Sequence, residues 1–206
     1  MRRLLAVLGA SVLSASACAH ADGPAPPAEQ KPVVQQPANE ARQLTTPDAT
    51  ALAEFNQRVT QYAEMHKRLE ATLPKLPKET TPEAINAHQR ALEKLIRAER
   101  KAAKQGDLIT PATRRVFRQL LARVFSGPEG RELKGTILDE NPGNIGLTVN
   151  ARYPDQIPLS TVPPQVLASL PKLPEDLEYR FIGERLILLD VHAHTIADFM
   201  DNAFPA

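Results

Sequence analysis

Three residues at alternate positions, Asp190, His192 and His194, have the types and spacing that suit a metal ion in this 206-residue chain. Residues two apart in a continuous strand share a face, so their side chains would project together. Two imidazoles and a carboxylate are good ligands for Zn, Ni or Cu, and Asp198 follows nearby. The competing reading is an exposed turn between two strands, since His-x-His segments arise by chance and no third histidine stands beside them. His66 is read separately, as a histidine at the partly wet edge of a helical apolar stripe.

The second reactive residue is the only cysteine. Arg2 and Arg3 precede an apolar run over Leu4–Leu13, and small residues follow at Ser14, Ala15, Ser16 and Ala17. Charge, apolar core and small residues in that order make a secretion signal. The run is shorter than the roughly 20 residues of a membrane span. Ala15-Ser16-Ala17-Cys18 resembles a lipobox, the bacterial lipoprotein motif in which the cysteine becomes the first mature residue and is acylated. The pattern prefers Leu where Ala15 stands, and cleavage after Ala17, Ala19 or Ala21 without acylation is the alternative. Several acyl chains, at about 0.8 kcal/mol per buried methylene, hold a protein on a membrane. Ala19, rather than Asp, favours the outer membrane.

Other chemistries lack their residues. There is no Gly-x-Ser-x-Gly, no His-Glu-x-x-His and no glycine-rich phosphate loop. With one cysteine, neither an internal disulfide nor a cysteine-rich metal site can form. Without residues 1–17 the chain holds 23 basic against 24 acidic residues, which is not a nucleic-acid-binding balance. The acid pairs Asp139-Glu140 and Glu175-Asp176 adjoin proline-rich turns and read as solvated charge. The expectation is therefore no enzyme, with a hydrolase of unrecognised site as an alternative.

Charge is unevenly spread. Residues 51–125 carry 15 basic and 8 acidic side chains, whereas residues 126–206 carry 6 and 12. Arg90, Lys94, Arg97, Lys101 and Lys104 recur at spacings of four and three, a basic stripe opposite Ile85 and Leu92. The stripe is a solvated face by default and otherwise a contact for an anionic surface such as phospholipid headgroups.

The elements that must position these residues follow from periodicity and punctuation. Residues 1–17 read as a signal peptide, and 18–46, rich in Pro, Ala and Gln, as a disordered tether. Residues 47–140 read as a small helical bundle. Its first helix spans about Asp48–Leu73, with Leu52, Phe55, Val59, Tyr62, His66, Leu69 and Leu73 on one stripe. A second helix starts at Thr81-Pro82 and runs to about Gln105, burying Ile85, Leu92, Leu95 and Ile96, and a third starts at Thr110-Pro111. A short fourth begins at Ser126, with Glu129 completing a capping box. Residues 141–206 read as a proline-rich connection and a short antiparallel β meander packed on the helices. Its strands are expected at Leu147–Tyr153, Leu177–Ile182, Arg185–Val191 and Thr195–Met200, with Gly183-Glu184 as a hairpin turn. The fold class is α+β.

The run from Leu177 to Asp190, with Val162-Pro163-Pro164 and Leu170-Pro171-Lys172-Leu173-Pro174 before it, resembles an uncharacterised family of predicted bacterial exported proteins or lipoproteins. The hairpin alone resembles the small periplasmic domain of nickel and cobalt homeostasis proteins. Neither resemblance carries a catalytic residue. Together these readings give an exported envelope protein with a binding or structural role. It would be attached through its lipid to the periplasmic side of the outer membrane, or be periplasmic or secreted if unlipidated, with an envelope protein or anionic surface as partner and no nucleic acid. The alternative is a periplasmic divalent-metal-binding protein.

Overall fold

The computed structural model describes residues 44–140, 145–158 and 161–205. The expected signal segment, Cys18 and all of the expected tether before Leu44 lie outside the described residues. The described residues form one compact unit, and among them the fold is α+β, with five helices and a three-stranded antiparallel sheet. No helix among the described residues is long and apolar enough to cross a membrane.

Helix α1 covers Thr46–Glu70. Its start is fixed by a capping box, in which Thr45 Oγ1 accepts from the Asp48 N–H and Asp48 Oδ2 accepts from the Thr45 N–H. The expected stripe points inward: Phe55, Val59 and Tyr62 are buried. Helix α2, Pro82–Glu99, is capped by Thr81 and ends six residues earlier than its sequence promised. Only Leu92 and Ile96 are buried on it, while Ile85 is 40% exposed. Helix α3, Pro111–Val124, buries Val116, Phe117 and Leu121.

Helix α4, Gly127–Glu140, is a full element rather than a short one. The Ser126 hydroxyl donates back to the Arg123 carbonyl at 2.9 Å. A Cβ at Gly130 would lie 2.4 Å from the Phe125 carbonyl carbon, so α4 can cross the end of α3 only with glycine there. A single helical turn, α5, covers Pro164–Ser169.

Strands β1 (Leu177–Ile182), β2 (Arg185–Asp190) and β3 (Thr195–Met200) form the meander in the order β1-β2-β3. The hairpin turn at Gly183-Glu184 holds Gly183 at φ 54°, the left-handed region glycine enters at no steric cost. The strand expected at Leu147–Tyr153 does not form; that segment makes one isolated bridge, Arg152 to Thr195. Instead it runs as cover over the sheet. Leu177, Tyr179, Phe181, Leu186, Leu188 and Met200 pack on Phe55, Phe117 and Leu121 of the helices. Ile182, Ile187, Leu189, Ile196 and Phe199 pack under Tyr153 and Ile157. Both faces are thus buried, which explains why β3 is apolar except at Thr195 and Asp198.

Candidate metal centre

His66 is completely buried on the inward row of α1, not at a wet edge. Burying an imidazole requires partners, and β2 supplies the first. His66 Nδ1 lies 2.7 Å from Asp190 Oδ2. Tyr62, one turn earlier on α1, donates its hydroxyl to the same oxygen at 2.8 Å, and Asp190 Oδ1 accepts from the Ala193 N–H at 2.8 Å. Asp190 is therefore committed on both oxygens. Because a carboxylate only accepts, His66 Nδ1 carries the hydrogen and Nε2 of the neutral ring carries a lone pair.

That lone pair faces acidic oxygens. His66 Nε2 makes no hydrogen bond, yet it stands 3.4 Å from Glu70 Oε2 and 3.8 Å from Asp176 Oδ1. Asp176 is 2% exposed; its Oδ2 makes no hydrogen bond and stands 3.7 Å from the Lys67 ammonium, which reaches it from the exposed side. His192, from the turn after β2, sets its ring 5.3 Å from that of His66, tilted by 56°. Ligand atoms of His66, Asp176 and His192 all lie within 4.8 Å of one another. Acceptors facing acceptors in a buried site need a cation between them, a proton or a metal ion. Zn–N and Zn–O bonds of about 2.0–2.2 Å place neighbouring ligand atoms of a tetrahedral shell roughly 3.4 Å apart. The His66–Glu70 and His66–Asp176 separations are close to that value, and exposed His192 is free to adjust.

Glu70 ends α1 and gathers the remaining imidazoles. Its Oε1 is 3.2 Å from His192 Nδ1 and 3.5 Å from His88 Nε2 of α2. Three of the five histidines in the chain meet at this one carboxylate. No protein-family model, curated protein or solved structure matches the chain. The site is therefore read from its own chemistry.

The electrostatics agree with a cation-seeking centre. Burial alone would push the His66 imidazole down, but the hydrogen bond and charge of Asp190, then Asp176 and Glu70, outweigh it and raise it. Burial would raise the Glu70 carboxyl; the charges of His192 and His66 and hydrogen bonds from His192 and His88 hold it below its ordinary value. Burial, then Asp190, push the Tyr62 phenol well above its usual range, so it remains a donor. Arg100 lies over the Tyr62 ring at 5.0 Å and donates to Asn150 Oδ1 and the Ala197 carbonyl.

The residues singled out in the sequence are distributed as follows. Asp190 and His192 both belong to the centre, Asp190 as the group that orients His66. His194 does not, because strand β2 stops at Asp190 and residues 191–194 form a turn. The common face expected from strand alternation is thus not formed: His194, at φ 53°, packs on Tyr153 at 5.6 Å. Asp198 accepts from the N–H groups of Gly106, Leu108, Ile109 and Phe199 and is a structural anion. Arg90, Lys94, Arg97, Lys101 and Lys104 are all exposed. They are not one helical stripe, since α2 ends at Glu99 and places Lys101 and Lys104 beyond it. Arg90 and Arg97 pair with Asn86 and Glu93 on their own helix.

Sequence reading missed His66, Glu70, Asp176 and His88. One signal was available: His66 and Glu70 stand one helical turn apart, so they share a face. Asp176 was taken as solvated charge beside a turn, and it is Glu175, 81% exposed, that has that role.

Proposed function

We propose that the chain is an exported, lipid-anchored envelope protein whose folded unit binds a divalent transition-metal ion of the zinc type. His66 Nε2, Asp176 and His192 are the ligands, and Asp190 is the carboxylate that sets the His66 tautomer. The observation that carries this reading is the buried His66 Nε2, which faces two carboxylates and has no donor. A histidine ligand commonly donates its other ring N–H to a carboxylate, which fixes orientation and raises basicity, and the His66–Asp190 pair has that form. Imidazole and carboxylate donors together suit zinc, nickel or copper rather than calcium or magnesium.

Calorimetric titration of the purified full chain with Zn²⁺ and Ni²⁺ tests the reading. One equivalent should bind, and His192→Ala, which removes an exposed ligand and leaves the fold intact, should weaken binding at least tenfold. Absence of heat, or equal binding by the variant, rules the site out.

A further inference from the structure

The first half of α2 is weakly held. No residue from 74 to 91 is buried, Leu76 and Ile85 are each 40% exposed, and the buried anchors Leu92 and Ile96 lie further on. A groove of about 430 Å³ separates this stretch from the end of α1, lined by Lys67, Glu70, Leu73, Lys75, Leu76 and His88. Across it runs one contact with the metal centre, His88 Nε2 to Glu70 Oε1 at 3.5 Å. The two oxygens of Glu70 face different ways: Oε2 is toward His66 Nε2 and Oε1 toward His88.

Resting on the metal reading above, we infer that Glu70 Oε2 supplies a fourth ligand while Oε1 accepts from His88. Metal occupancy then fastens the first half of α2 to the end of α1. His88 is a positioning residue acting through Glu70. Ligating carboxylates are themselves held by outer hydrogen bonds, whose loss lowers metal affinity by about 10–100-fold. A segment with little buried apolar surface opens readily and is the kind of element a ligand can order. The His192 turn and the His88 helix both reach Glu70 Oε1, at 3.2 Å and 3.5 Å, so a fixed Glu70 holds both.

Hydrogen exchange of residues 86–91 in the full chain, with and without saturating Zn²⁺, tests the coupling beside a zinc titration. In wild type, zinc should slow exchange there about tenfold or more. His88→Ala should still bind zinc, about tenfold more weakly, and zinc should no longer slow exchange in 86–91. His88→Gln, which keeps a donor, should recover part of the protection. Zinc bound by all three chains with the same effect on 86–91, or with none, overturns the coupling and leaves the metal site standing. Failure of wild type to bind zinc removes the site and the coupling with it.

Discussion

Asp190 Oδ2 lies 2.7 Å from His66 Nδ1 although 124 residues separate the two in sequence. This bond joins the middle of α1 to the end of β2, and it decides which nitrogen of a buried imidazole is free.

Asp190→Asn tests that role. The amide offers one acceptor in place of two, and its NH₂ group facing His66 would favour the tautomer with hydrogen on Nε2. Zinc affinity is expected to fall about 10–100-fold while the far-ultraviolet circular dichroism stays as in wild type. Competition with a coloured chelator measures the change; unaltered affinity would mean that Asp190 does not orient the ligand.

Tyr62→Phe removes one donor from Asp190 and keeps the ring under Arg100. A hydrogen bond to a charged group is worth about 1.5–3 kcal/mol. Urea unfolding of the metal-free protein should show an unfolding free energy lower by that amount, through a lower midpoint at unchanged slope.

Asp198→Ala should be far more costly. The carboxylate accepts from the Leu108 and Ile109 N–H groups at 2.8 Å each and from Gly106 at 3.0 Å. Each buried donor left without a partner costs about 1–3 kcal/mol, so a loss of at least about 3 kcal/mol is expected in urea unfolding. Asp198→Asn, which retains one acceptor oxygen, should lose about half as much.

Two glycines of α4 should respond in opposite directions to alanine. At Gly130 the new Cβ meets backbone atoms of Phe125 at 2.4–2.7 Å, and overpacking of that kind costs about 1–3 kcal/mol. At Gly135 it meets nothing within 4 Å, so the better helix propensity of alanine should add about 0.5–1 kcal/mol. Thermal unfolding of the two variants gives both signs.

Cells supplied with a labelled fatty acid should label the wild-type chain and not Cys18→Ala. Equal labelling of both chains would discard the lipid anchor.

The elements were legible where periodicity is strong and both flanks are marked. Thr45, Thr81 and Thr110 each cap a helix with proline in its first turn, and the three strands lie within a residue of their expected bounds. Residues 147–153 failed because alternation of apolar and polar residues also suits an irregular cover over a sheet. The candidate metal centre was half legible. Its local part, Asp190 and His192, lies in one short segment, but His66, Glu70, Asp176 and His88 come from three other places in the chain. No spacing rule reports such long-range convergence. His66 was further hidden by its position, since a histidine in an apolar row looks the same whether its ring reaches water or a buried aspartate.

The carboxylate of Asp198 has a consequence for the order in which the chain acquires its structure. Leu108 and Ile109, in the bend between α2 and α3, find their acceptor 90 and 89 residues later, in the last strand. At about 5–20 residues per second, a ribosome needs on the order of 5–20 s to make that stretch. Until β3 is made the Leu108 and Ile109 N–H groups can bond only water, and Phe117 lacks the sheet it packs against. The last strand therefore works as a latch: the bend between α2 and α3 reaches its native hydrogen bonds only once β3 has been made.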